Sequence, residues 1–483
     1  MSLKIVSLVI VVLVILRYFF LKYLIYQVSK DEIKKIEFEN ETQHQLKTIE
    51  LSNSIKKLKK NTKITLKRKE TSHLYGLQFM KNSYGLDLLS FDKIIEFNKN
   101  NNTVRVGGNT NLSLLIKYLY KNGYGMKVIP DEEHLTIGGL YAGIGGGSRT
   151  FKYGCFFNIV KQVEIITGNG DIIICNKNKN TKLFKLLPSS LGTLGYVVSI
   201  WLDIEKIKPY IYSKTYHYKS YKEFIKNMEL FMDDETIDFL DGTIFNSTNF
   251  VIIIGKQVST KGNYPLYGTT LGTPYDTMVE NGYEGVFNYL DFIYKWDTDG
   301  YYSFRSKDMI LYLLRNRFIR ALLDKRLFKG HRKRRLGALF GKNILDENNQ
   351  IKVQNGDFML PIKKSQSYFT WYDKNVNLYP LYMCPIKFPT KSPFINTDTK
   401  SIDFGMGYGV VKENVDRVEL LRKCMIKTYE LGGDMLKYNS IYSSEDEFWS
   451  FYDSNLKKEY YTVKNKYDTN NRYYSVSEKL SLK

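Results

Sequence analysis

Hydrophobic and polar positions divide this 483-residue chain into stretches of different texture. From Ile5 to Tyr26 the sequence is almost wholly apolar, interrupted by charge only at Arg17 and Lys22. About 20 such residues, at a rise of ~1.5 Å each, cross the hydrocarbon of a bilayer. No small-residue cleavage site follows, and aromatics continue past Arg17, so the pattern predicts a retained transmembrane helix over 1–28 rather than a signal peptide. Lysines flank both ends (Lys4; Lys30, Lys34 and Lys35), which leaves orientation open. Residues 29–58 are polar, charged and free of Gly and Pro, and read as a stalk.

Beyond the stalk the periods change. "TKITLKRK" (62–69) alternates as a strand does, and 85–108 reads as short strands around an Asn-rich turn. "NLSLLIKYLYKNGYG" (111–125) places Leu112, Leu115, Ile116, Leu119 and Tyr120 on one helical face and stops at Gly123. "MKVIP" (126–130) is a short strand leading to "HLTIGGLYAGIGGGSRTFKYG" (134–154). "IVKQVEIITGNGDIIICN" is a hairpin turning at 168–171, "TKLFKLLP" a short helix, and "SSLGTLGYVVSIWLDI" a second glycine-marked loop running into a strand. Downstream, "MILYLLRNRFIRALLDKRLF" (309–328) is an amphipathic basic helix followed by "KGHRKRR". It is a core-facing helix with a solvated loop or a second membrane-surface contact.

The glycine segment carries seven of the 34 glycines in the chain. Such bare backbone lets N–H groups approach an anion, and a diphosphate is the natural guest. The Rossmann GxGxxG is not matched and no GK[ST] follows, so nucleotide-binding loops of those two kinds are excluded.

Composition changes this picture little. The formal charge of +21, with 71 Lys and Arg against 50 Asp and Glu, accompanies no nucleic-acid-binding pattern, and the basic residues are spread along the chain. No nucleic-acid partner is expected. Cys155, Cys175, Cys384 and Cys424 are far apart and the five histidines form no cluster, so neither a metal nor a disulfide scaffold is expected.

The ordered series "VRVGGNTNLSLLIKYLYKNGYGMKVIPDEEHLTIGGLYAGIGGGSRTFKYG", "VEIITGNGDIIIC" and "LFKLLPSSLGTLGYVVSIWLDI" resembles the FAD-binding domain of the PCMH-type, vanillyl-alcohol-oxidase-like superfamily. Within it, "LTIGGL" with "KYG", "DFMLPIKKSQ", "LYPLYMCPIKFP" and "SSEDEFWSFYD" are similar, in order, to the delta(24)-sterol reductase (24-dehydrocholesterol reductase, Diminuto) family. The resemblance implies an α+β fold: a two-subdomain FAD-binding domain over 59–207, then an α+β substrate (cap) domain over 208–483, behind the transmembrane helix. It implies FAD, NADPH as reductant, a sterol-like substrate and a single-pass protein of an endoplasmic-reticulum-type membrane; it says nothing of oligomeric state.

By matching position, Thr136, Gly138, Gly139, Gly143, Gly145, Gly146, Gly147 and Ser148 would line the diphosphate and ribityl path, with Tyr153 and Gly154 continuing that wall. Gly192, Thr193, Gly195 and Val197 would flank the flavin. The family's first phosphate loop is glycine-rich, whereas "LKRKETSHLYG" (66–76) is not, so Arg68, Thr71 and Ser72 would make those contacts. His73 falls near a covalent attachment point of some superfamily members, but covalent FAD is not expected. "DFIYKWDTDGYYSF" (291–304) replaces a stretch richer in His and Arg, and Asp297, Asp299 and Tyr301 are the candidates for the proton step. Two alternatives stay open: an FAD-linked oxidase or dehydrogenase of a sugar, alcohol or other small molecule, and a non-catalytic membrane-tethered flavin-binding protein.

Overall fold

The computed structural model describes residues 35–67, 83–130, 135–267, 282–295, 356–406, 417–437 and 442–481, a helical stretch at 15–23, and positions 12, 26, 133 and 278. Two antiparallel sheets organise these residues. The first runs β3 (Ile94–Asn98), β4 (Thr103–Gly107), β8 (Tyr196–Lys206), β6 (Val160–Ile166), β7 (Ile172–Asn176), with β5 (Tyr124–Met126) also paired to β8. A small parallel pair, β1 (Ile64–Leu66) with β2 (Tyr84–Leu86), precedes them. The strand expected at 126–130 is therefore two residues early, because pairing with 204–206 of β8 fixes its register.

The helix Leu112–Lys121 forms as its pattern predicts. Asn111 caps it by accepting from the N–H of Leu114, and Leu112, Leu115, Ile116 and Leu119 face the sheet, fully buried. Each such side chain contributes ~1.5–3 kcal/mol on burial.

Helix Glu41–Lys56 lies inside the span read as a stalk, yet it packs on this sheet. A capping box joins Asn40 and Gln43, and His44, Thr48, Leu51, Ser52 and Ile55 form its buried stripe. Most of that stripe is polar, so hydrophobic periodicity carried no sign of it. Ser52 donates to the Gly170 carbonyl at 2.5 Å, which pins the helix to the β6–β7 turn.

The second sheet orders β12 (Glu284–Asn288), β9 (Tyr210–Tyr218), β11 (Asn249–Val258), β10 (Phe239–Asn246), β14 (Leu381–Lys387), β15 (Lys400–Met406), β13 (Gly356–Pro361), β16 (Asp434–Met435). Alternation gives it two unlike faces. A Cβ on Gly242 of β10 would meet Met228 and Phe224, so the Gly242 face lies under helix Tyr221–Met232. Asp241 and Thr243 point to the opposite face, where Tyr382 of β14 stands across from Thr243.

The C-terminal residues return to the first sheet. Tyr473 donates to the Ile166 carbonyl at 3.1 Å, Arg472 to the Gly168 and Leu58 carbonyls, and Lys479 to the Leu191 carbonyl at 2.7 Å.

Among the described residues no helix is long and apolar enough to cross a membrane. Residues 15–23 are helical, with Leu16, Phe19 and Phe20 exposed. Most of the predicted transmembrane segment lies outside the described residues, as do the basic helix at 309–328 and "KGHRKRR".

Candidate functional site

Three main chains meet beneath the glycine segment. Gly138 N–H donates to the Gly108 carbonyl at 2.7 Å, and Gly108 N–H to the Val198 carbonyl at 2.9 Å. A Cβ on Gly108 would run into the Val197 carbonyl, and one on Gly138 would lie 2.8 Å from the Gly108 oxygen. These glycines are demanded by chain crossing, and the crossing sets Gly138 against Val197. Thr136 caps helix Ile137–Gly143, its Oγ1 accepting from Gly139 N–H at 3.3 Å, while Ile137 N–H donates to the Thr110 carbonyl. The first three N–H groups of that helix are thus all used internally.

The following residues differ. The carbonyls of Gly145, Gly147 and Ser148 accept from Phe156, Thr150 and Leu240 N–H groups at 2.8, 3.0 and 2.7 Å. Among the described residues, however, the consecutive N–H groups of Gly146, Gly147, Ser148 and Arg149 make no hydrogen bond, and neither do those of Gly192, Leu194 and Gly195. Gly147, Ser148, Arg149 and the 192–195 stretch are buried. An unpaired buried N–H costs ~1–3 kcal/mol, so these donors call for acceptors that the described residues do not supply. Diphosphate oxygens and ribityl hydroxyls are such acceptors, so the two loops fit FAD. Gly146 also has room: a Cβ there meets only Thr150 Cγ2, at an ordinary 3.5 Å, whereas Gly147 abuts the Ile129 carbonyl and Gly145 abuts Leu140. Gly143 ends the helix and is half-exposed.

The second loop is held from behind. Thr193 Oγ1 donates to the Ser190 carbonyl at 2.7 Å and lies 2.9 Å from the Tyr460 hydroxyl, which donates to it. Leu191 N–H donates to the Ala142 carbonyl at 3.2 Å, joining this loop to the first.

Tyr153 and Gly154 have partners of their own. Tyr153 donates to Glu205 at 3.0 Å, and burial, opposed by the neighbouring Arg149 charge, pushes its hydroxyl up to about 12. Gly154, at φ 77°, is pressed between Asn158 and Pro389. Arg149, 1% exposed, pairs with Glu205 at 2.5 Å and donates to the Asp238 and Met126 carbonyls. Burial disfavours its charge, but Glu205, Tyr289 and Tyr153 outweigh that and hold its pKa above the ordinary value.

The glycine segment ends on the second sheet. Besides the Ser148–Leu240 bond, Thr150 Oγ1 donates to the Pro385 carbonyl at 2.8 Å and Cys384 Sγ to the Gly147 carbonyl at 2.8 Å. Here lies a buried ion pair that sequence reasoning missed: Lys295 Nζ is 2.8 Å from Asp241 Oδ2, each 1% exposed, and 3.5 Å from Ser148 Oγ. Its one signal was Asp241, a lone charge within the apolar run "FLDGTIF". Arg68, Thr71, Ser72, His73, Asp297, Asp299 and Tyr301 lie outside the described residues.

This arrangement has known counterparts. Residues 47–176, which carry β1 to β7 and the first glycine loop, match the family described as FAD binding domain. The likeness extends further. The chain is similar to the Delta(24)-sterol reductase of Homo sapiens, 22% identical over 418 residues, covering 81% of this chain and 77% of that protein. It is similar to the Delta(24)-sterol reductase of Pisum sativum, 24% identical over 340 residues (63% of this chain, 56% of that protein). Cytokinin dehydrogenase 1 of Arabidopsis thaliana is 29% identical over 147 residues, only 30% of this chain.

Proposed function

We propose that the chain is an FAD-dependent reductase of a sterol side-chain double bond, with NADPH as electron donor. The observation that carries the FAD part is the set of N–H groups at 146–149, 192, 194 and 195, mostly buried, that make no hydrogen bond among the described residues. The substrate part is supported by similarity to sterol reductases over some four-fifths of the chain, where similarity to cytokinin dehydrogenase stops at under a third. FAD, when bound, supplies hydride transfer at its N5. The chain's own residues would hold it: the N–H groups of Gly146, Gly147 and Ser148 would donate to the diphosphate, and Gly195 and Val197 would flank the flavin. Arg68, Thr71 and Ser72 supply further phosphate contacts, and Asp297, Asp299 and Tyr301 are proposed to handle the proton added at the second alkene carbon. The apolar segment at 5–26 is proposed to seat the protein on an endoplasmic-reticulum-type membrane.

Full-length protein purified in detergent should be yellow, bleach with NADPH under argon, and recover its flavin absorbance on addition of desmosterol. Recovery with oxygen but not desmosterol would assign the chain to the oxidases instead, and a colourless protein that takes up no added FAD would overturn the flavin reading altogether.

A further inference from the structure

Asp241 stands in mid-strand, between Leu240 and Gly242 and opposite Ile253 of β11, where an apolar side chain would pack. A buried ion pair there is poor evidence of a stabilising role, since desolvating two charges offsets much of their attraction. Lys295 comes just past helix Tyr289–Ile293, and its ammonium lies over the Phe292 ring, Nζ 4.3 Å from the centroid. Its ammonium is shared between Asp241 Oδ2 and the hydroxyl of Ser148. Ser148 in turn belongs to the run of N–H groups that make no hydrogen bond among the described residues. The Leu240–Ser148 main-chain bond, one residue from Asp241, fixes the pair to that run.

From this juxtaposition we infer that Lys295 is a cofactor-contacting residue contributed by the substrate domain, and that its ammonium faces an anionic part of FAD alongside the N–H groups of residues 146–148. Asp241 holds the ammonium in place and, being a carboxylate, keeps the site from carrying a full positive charge. The inference rests on the FAD reading. The anionic group could be the diphosphate, charged in either redox state, or the reduced isoalloxazine, which gains negative charge on reduction. Both are served by the same cation, and they differ in what its removal does.

The test uses full-length wild type, Lys295→Met, and the double variant Asp241→Leu/Lys295→Met, which leaves no unpaired buried carboxylate should the single variant fold poorly. Oxidised FAD affinity is read by titration of apoprotein, and the midpoint potential of bound flavin by dye equilibration. If Lys295 faces the diphosphate, both variants bind oxidised FAD about tenfold more weakly, the loss of one charge-assisted contact. If it faces the ring, affinity for oxidised FAD is kept and the potential falls by ~30 mV, the same tenfold factor for a two-electron couple. A folded double variant with wild-type affinity and wild-type potential overturns the inference and leaves FAD binding standing. Wild type that binds no FAD overturns both.

Discussion

His44 lies fully buried between two carboxylates, its Nε2 2.7 Å from Glu164 Oε2 and its Nδ1 3.2 Å from Glu39 Oε1. The same Glu164 oxygen accepts from Ser199 at 2.6 Å and Arg105 at 3.2 Å, and Arg105 also pairs with Glu41. Helix Glu41–Lys56 is thereby fastened to β4, β6 and β8 by charge where its stripe lacks apolar area.

An acid-sensitivity prediction follows from that fastening. Burial raises the Glu164 pKa, but hydrogen bonds from His44 and Ser199 and the charges of His44 and Arg105 outweigh it, so the net shift is downward. A carboxylate depressed in the folded state contributes stability above its unfolded pKa, ~4.3, and loses it as pH falls through the folded value. Glu164→Gln should therefore cost ~3 kcal/mol at pH 7, the cost of breaking a buried pair. The gap to wild type should narrow below about pH 4.3. Urea unfolding at pH 7, 5 and 3.5 measures it; a gap independent of pH would refute the assignment.

The glycines of the long segment should separate into two kinds. Gly147→Ala forces a methyl onto the Ile129 carbonyl and should lower the unfolding midpoint sharply or abolish soluble protein. Gly146→Ala has room, so its midpoint should stay close to wild type, while FAD affinity drops about tenfold as the methyl crowds the approach to the N–H groups. Thermal unfolding of apoprotein beside a flavin titration distinguishes the two. Equal loss of stability at both positions would mean that packing alone accounts for Gly146.

What could be read in advance follows from which forces leave a periodic trace. Leu112, Leu115, Ile116 and Leu119 announce a helix because their burial is apolar, and the hairpin at 160–176 announces itself by β-branched runs around an Asn-Gly turn. The glycine loops were legible as an ordered series, although Gly138 and Gly147 turn out to be fixed by neighbouring main chain, and Gly145, Gly154 and Gly192 by neighbouring side chains. Helix Glu41–Lys56 was not legible as part of the core, since His44, Thr48 and Ser52 are polar and the sheet-side partners of His44 and Ser52, Glu164 and Gly170, lie 120 and 118 residues away in sequence. Nor was the Asp241–Lys295 pair, whose members are separated by β11, β12 and helix Tyr289–Ile293, and meet only through the fold.

A prediction about the N-terminus separates anchoring from folding. Because the capping box at Asn40 and the His44 cluster begin the packed part of the chain, removal of residues 1–34 should leave the circular dichroism spectrum and unfolding midpoint nearly unchanged. The same truncation should move the protein from the membrane pellet to the supernatant after carbonate extraction. Retention in the pellet would place the membrane contact elsewhere.

Arg149 supplies the last test, because it joins the two sheets from beneath the glycine loops. Its guanidinium pairs with Glu205 of β8, reaches the Asp238 carbonyl just before β10, and lies over the Tyr153 and Phe239 rings at 4.8 and 5.1 Å. Arg149→Met should cost ~3 kcal/mol by leaving Glu205 half-buried with no cation. Adding Glu205→Gln should recover a substantial part of that loss, since the uncompensated carboxylate is the larger share of it. A double-mutant cycle on chemical unfolding reads the coupling directly, and additive losses would show that Arg149 acts through its carbonyl and ring contacts rather than through Glu205.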